Sequence, residues 1–473
     1  MKTAVHKVLI LLLCVFLLIP VLASCADAPT ASPTASGRPS ATPTAGGTGS
    51  SDVFGGTLRI AALYSHGLKE LVTGFRTLHL DTEVILDCAF TPEDDDLEDA
   101  ERTAKADAFV TRILLEMQNG EGPDLLDMFG MNFYDFAAQG LFDDLYTYMD
   151  SDQTFRREDY FENIFTALEY HEALYAMPNA VEMECVNLNK PVIAALGIDP
   201  ELYPVITPMQ ILEIYGRALD EGIVNEEFWL ACGDAGRAAL REELSSYLDA
   251  KDATANFNSP ECIAYLEASQ RVQTQRTYQF YGYTTTNGRI VLEKDTNALI
   301  YKRPAGMYSL SNIIEENDYS TRAIPLGLGE RGEDRTFAAA RLLSIAEASE
   351  SKALGWEFIK YCTAESGQLK YWESEGQWNG DRFASYLPVN RGNLKKYVAA
   401  AQQKIHESLT QSEVDALCAM LESWMEAINM APVSTLDLTL FNDILGEYYD
   451  QQSIDAEECA NLLQERAEEY FAE

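Results

Sequence analysis

The chain has 473 residues, 47% hydrophobic and 23% charged, a globular composition long enough for more than one domain. Asp and Glu number 75 against 35 Lys and Arg, and the resulting charge of -40 repels nucleic acid and anionic lipid and argues against a polyanionic ligand. The nine Cys are scattered and never form a Cys-x-x-Cys, so neither a disulfide framework nor a zinc signature is present.

Lys2 and Lys7 flank the start of an uninterrupted apolar run, Val8 to Ile19. A run this short is a signal-peptide core; a permanent spanning helix needs about 20 residues. Leu22-Ala23-Ser24-Cys25 closes it and resembles the lipobox of bacterial lipoproteins. That resemblance implies removal of residues 1–24, diacylation of Cys25, and a protein held on the outer face of the cell membrane of a Gram-positive-type bacterium. Residues 25–55 are rich in Pro, Ser, Thr, Ala and Gly, cannot bury a core, and predict a disordered tether. Stretched out, its residues 26 to about 54 reach roughly 80–90 Å at about 3.1 Å per residue. No later apolar run approaches the length of a membrane span.

The folded body is expected from Gly56 onward. Residues 57–63 read as a strand, 68–78 as a helix, 83–88 as a strand and 104–117 as a helix ending at Asn119-Gly120. Residues 124–129 read as a third strand. This alternation predicts an α/β fold with a mainly parallel sheet and helices on both faces. Ligands of such sheets sit at the carboxyl ends of strands, which singles out Tyr64, Ser65, Phe129 and Asn132. Residues 174–189 look strand-like around Pro178, 208–275 helical, and 334–346 strand-like. Helices are expected at 351–362, at 413–428 and from about 454 to the end. The run Glu93-Asp94-Asp95-Asp96 lacks the spacing of a calcium loop and reads as a solvated turn. His66, His79 and His171 are too dispersed for a metal site, and neither a metal nor a cofactor is expected. Gly-x-Ser-x-Gly and His-Glu-x-x-His are absent.

Several blocks in order resemble the extracellular solute-binding proteins of ABC importers, in the carbohydrate-leaning family 1 that includes the maltose-binding protein. Asn119-Gly120-Glu121-Gly122-Pro123-Asp124-Leu125-Leu126 is similar to the family's Gly-x-x-Pro-Asp signature. Gly140-Leu141-Phe142-Asp143-Asp144-Leu145, Leu174-Tyr175-Ala176-Met177-Pro178 with Asn189-Lys190, Trp356 to Tyr361, Tyr386-Leu387-Pro388-Val389-Asn390 and the terminal Tyr470-Phe471 follow in the family's order. The resemblance implies two α/β lobes, the type II periplasmic-binding-protein fold, with a ligand cleft between them and a hinge the chain crosses three times. Lobe one is then 56–182 plus 342–386, and lobe two is 183–341 plus 387–473.

The same resemblance implies a monomer that binds a small carbohydrate without turnover and delivers it to ABC permease subunits. Glu182 lies in the block that matches the family's hinge segment, where the equivalent Glu contacts sugar hydroxyls; Glu184 is a weaker candidate. A carboxylate accepts paired hydrogen bonds from neighbouring hydroxyls. Aromatic rings cover the C–H face of a pyranose, which adds Trp229, Tyr281, Tyr308 and Trp378. Two alternatives stay open: the same fold with a peptide, polyamine or other metabolite, and a surface glycoside hydrolase using paired carboxylates.

Overall fold

A computed structural model describes residues 55–472, apart from 66, 92–93, 95–96, 98, 189, 223–242, 244–245, 274–282, 287–288, 293–299, 305–322, 330, 369–385, 406–409 and 433–439. Strand β1 (Gly56–Tyr64) opens the body, followed by helix α1 (Leu68–Leu78), β2 (Thr82–Phe90), α2 (Asp99–Gln118) and the short β3 (Leu125–Asp127). β1 pairs in parallel with β2, from Gly56 opposite Thr82 to Tyr64 opposite Phe90, and with β3 through Ile60 and Leu125. Leu58, Ile60 and Leu125 are fully buried, as expected where helices cover a parallel sheet.

The turn between α2 and β3 is set by Gly120 and Gly122. Gly120 has φ +73°, a conformation that resists side chains, and a Cβ on Gly122 would come within 2.5 Å of the Met117 side chain. Arg59 Nη1 donates to the carbonyls of Glu121 and Gly122, and Asp124 accepts from the Arg59 amide at 2.8 Å and from Ser349 Oγ at 2.6 Å. A recess of about 260 Å³ lies here, lined by Arg59, Gly122, Asp124, Ser349 and Ser351. These polar groups bond to one another across the turn, so the signature acts as scaffold.

After β3 come helix α3 (Phe133–Ala138) and α4 (Leu145–Ser151), capped by Asn132 and Asp144 through bonds from the Tyr134 and Tyr146 amides. Three short strands then replace the single extended segment expected at 174–189: β4 (Met177–Pro178), β5 (Ala180–Glu182) and β6 (Glu184–Leu188). Helix α5 (Pro208–Asp220) starts on a capping box between Thr207 and Gln210. The predicted helical stretch 208–275 is broken by a hairpin, β7 (Leu248–Asp249) and β8 (Thr254–Ala255), before helix α6 (Pro260–Gln273). Asp249 Oδ1 accepts from the Lys251 and Asp252 amides, a local turn that competes with helix.

Beyond a small antiparallel hairpin of Tyr283–Thr286 and Arg289–Leu292, the later described strands are β9 (Ile300–Pro304), β10 (Ile324–Pro325), β11 (Ala338–Ala339), β12 (Leu342–Ile345) and β13 (Leu387–Pro388). The main later helices are α7 (Lys352–Thr363), α8 (Arg391–Ile405), α9 (Gln411–Glu426) and α10 (Ala456–Ala472). The first sheet runs β2-β1-β3-β12-β4, with β12 antiparallel to both neighbours, so it is mixed at one edge. A second sheet runs β9-β6-β10. Between them β11-β5-β13 form a small sheet from the three segments expected to cross the hinge.

Buried apolar side chains fall into two clusters. One gathers Leu58, Phe75, Leu125, Phe165, Phe358 and Tyr397, and the other Val186, Tyr215, Phe257, Tyr265, Phe441 and Leu463. Leu387 to Ile428, assigned from sequence to the second lobe, contribute to the first cluster, while Phe441 to Ala467 contribute to the second. Helices α8 and α9 cover the first lobe because Tyr397, Leu421 and Met425 are apolar on the faces turned towards it.

Candidate functional site

The carboxyl edge of the first sheet carries an aromatic cluster. Tyr64, the last residue of β1, is half-buried and stacks on Phe90 at 5.0 Å between centroids. Its ring meets the half-buried Phe129 edge-on at 5.9 Å. The guanidinium of Arg341 lies over Phe129 at 5.7 Å from the ring centre. Ser65 is buried; its amide donates to the Phe90 carbonyl, and its carbonyl accepts from the Lys69 amide.

Arg341 and Asp127 form a buried ion pair behind these rings. Arg341 Nη1 donates to Asp127 Oδ2 at 2.9 Å and to the Tyr64 carbonyl at 3.3 Å. Asp127 Oδ1 accepts from the amides of Phe129 (3.1 Å) and Leu342 (3.2 Å). The Arg341 carbonyl accepts from the amide of Asn179, just before β5. One charged pair therefore ties together the ends of β1 and β3 and two hinge crossings.

Glu182 closes β5 opposite Ala338, and Glu184 opens β6 opposite Pro304; both are half-buried and flank the passage from hinge sheet to second sheet. Asn132 is committed to protein groups. Its Oδ1 accepts from the Tyr134 amide, and its Nδ2 donates to Asp135 and to Tyr470. Tyr64, Phe129 and Ser65 thus meet at one edge, whereas Asn132 serves as a helix cap. Trp229, Tyr281, Tyr308 and Trp378 lie outside the described residues, as do Cys25 and the whole of 1–54.

Phe90, Asp127 and Arg341 were not singled out from sequence. A signal existed: Asp127 ends an apolar run, and Arg341 interrupts Ala338-Ala339-Ala340 and Leu342-Leu343. Among the described residues no three His, Cys, Asp or Glu side chains come together as a metal site. None of the six described cysteines is in a disulfide, and burial pushes Cys88 up to about 11 and Cys262 and Cys459 up to about 12, so these three thiols are protonated. No described helix is long and apolar enough to cross a membrane.

Residues 101–381 match the family model described as bacterial extracellular solute-binding protein. The chain belongs to that family. A comparison with curated proteins found no match. This solute-binding protein is similar in structure to an ABC substrate-binding protein, Lmo0181 from Listeria monocytogenes, in complex with cycloalternan, at 14% identity and TM-score 0.53. Maltose-bound MalE3 of T. maritima (16%, TM-score 0.51) and a periplasmic oligogalacturonide-binding protein from Yersinia enterocolitica (12%, TM-score 0.55) are also similar. Each match covers 88% of this chain and 99% of the other. The mixed α/β architecture is the two-lobed type II periplasmic-binding-protein fold of these neighbours.

Proposed function

We propose that this solute-binding protein captures a sugar or oligosaccharide, without turnover, at the carboxyl edge of the first-lobe sheet and hands it to an ABC permease. The observation that carries this reading is the Tyr64–Phe129 aromatic pair, half-exposed and braced from behind by the Arg341–Asp127 ion pair next to the hinge. A rigid aromatic surface together with a carboxylate suits a ligand with one apolar face and a rim of hydroxyls. Glu182 supplies that carboxylate. The three neighbours are named for cycloalternan, maltose and oligogalacturonide, which supports the ligand class. The chain acts as a monomer, anchored to the outer face of the membrane by lipid on Cys25 and a tether of residues 25–55.

A panel of oligosaccharides is screened by thermal shift, where a ligand at 100 times its Kd adds about 2.7 kcal/mol of stability. The expected result is a raised melting temperature with at least one sugar and no product formed. Glu182→Gln should weaken that sugar roughly tenfold or more, the effect of losing a hydrogen bond to a charged group, with the ligand-free melting temperature unchanged. Wild-type affinity in both Glu182→Gln and Tyr64→Ala would place the site elsewhere. A hydrolysed product would favour the glycosidase reading, and a response to peptides or polyamines alone would change the ligand class.

A further inference from the structure

Two elements of the second lobe reach one short helix of the first. The hairpin β7–β8 and helix α10 belong to the second lobe through Leu248, Phe257, Cys459 and Leu463. They are bolted to each other by Gln464, whose Oε1 accepts from the Phe257 amide at 2.8 Å and whose Nε2 donates to the Ala255 carbonyl at 3.2 Å. Hairpin and helix therefore move as one jaw.

The jaw meets α3. Tyr470, near the end of α10, accepts from Asn132 Nδ2 at 3.4 Å and donates to Asp135 Oδ2 at 3.4 Å. On the hairpin, Ala250 packs against the first-lobe core. Burial first, and then the carboxylates of Asp249 and Asp252, push the Tyr134 phenol above its usual range. The Tyr134 ring is buried between Phe133 and Tyr170, and its hydroxyl has no hydrogen-bond partner among the described residues. The contact thus holds two opposed contributions. The Tyr470 bonds favour keeping the lobes together, and the orphaned Tyr134 hydroxyl favours letting water in.

We propose that α3 is a catch for this jaw: Tyr470 on Asn132 and Asp135 holds the lobes together, and the buried Tyr134 hydroxyl weakens that hold so that the cleft opens. The proposal rests on the solute-binding reading for its purpose, but its contacts stand without any ligand. A catch set near balance lets a modest amount of ligand binding energy decide between open and closed.

The test is single-molecule FRET on the full-length, ligand-free chain. Dyes are carried by unnatural amino acids at exposed Arg76 on α1 and exposed Glu213 on α5, which spares the native thiols. Tyr470→Phe should raise the open-to-closed ratio about threefold to tenfold, because it removes two bonds that, at 3.4 Å each, are long and together worth about one ordinary hydrogen bond. Tyr134→Phe should lower it by roughly fivefold or more, because it removes a buried hydroxyl with nothing to bond. Opposite shifts in two folded variants support the catch. An unchanged ratio in Tyr470→Phe, or shifts in the same direction, overturns it, since simple loosening moves both alike. The sugar screen is independent: a failed screen with opposite FRET shifts removes the ligand class and keeps the catch.

Discussion

Asp127 and Arg341 are 214 positions apart in sequence and 2.9 Å apart in space, with 0% and 4% exposure. A buried ion pair of this kind adds little net stability against an apolar substitute, but breaking one side leaves an uncompensated charge in the core. Arg341→Met should therefore cost about 3–5 kcal/mol in chemical denaturation. Arg156→Ala, which removes an exposed partner of Glu158, should leave stability nearly unchanged, because solvent screens such a pair. Equal losses would mean that Arg341 is not paired as described. The sequence displays each member as a lone charge in apolar surroundings but contains nothing local that says they meet. Tyr64 and Phe129 were legible because strand order alone places the ends of β1 and β3. Phe90 was not, because its strand runs two residues beyond the apolar pattern expected to end at Cys88. Asn132 is a polar residue directly ahead of a helix, and that capping signal outranks its nearness to the strand end.

Between elements, Asp152 fastens α4 to α7. It follows the last turn of α4 and accepts from Lys360 Nζ at 2.6 Å and Trp356 Nε1 at 3.0 Å, both on α7. Burial alone would raise its carboxyl, but donors on Lys360, Thr154 and Trp356 overcome this and hold it well below the usual carboxylate range. A carboxyl depressed on folding stabilises the protein above its unfolded value, 3.8, and loses that contribution as pH falls through the folded value. Asp152→Asn should lower the melting temperature near pH 7, and the gap to wild type should narrow as pH drops below about 4. A gap independent of pH would assign the loss to packing. Helix α7 was readable almost residue for residue, because its apolar positions repeat at helical spacing and bury Leu354, Trp356, Phe358 and Ile359. The hairpin inside 208–275 did leave a trace in the sequence: Asp249 sets its turn, and Asn256, Asn258, Ser259 and Pro260 interrupt the helical pattern ahead of α6.

At the scale of the whole molecule, the strand and helix alternation made the fold class legible, and the order of weak motifs made the family legible. The path of residues 387–428 was not, because an amphipathic helix does not say which of two cores its apolar face joins. For the anchor, Cys25→Ser should release the protein into the medium, as shown by fractionation, with oligosaccharide binding unchanged; retention on the cell would place the anchor elsewhere.

The insertion of β12 between β3 and β4 has a consequence for export. The slot beside β3 stays empty until Leu342–Ile345 arrive, more than a hundred residues after β4, and the first core still lacks the helices that end near Ile428. A chain threaded outward from its amino end therefore emerges long before either lobe can complete its core. Closing such distant contacts is slow. The same braiding that lets two lobes share a three-stranded hinge delays their folding until nearly all of the polypeptide is across the membrane.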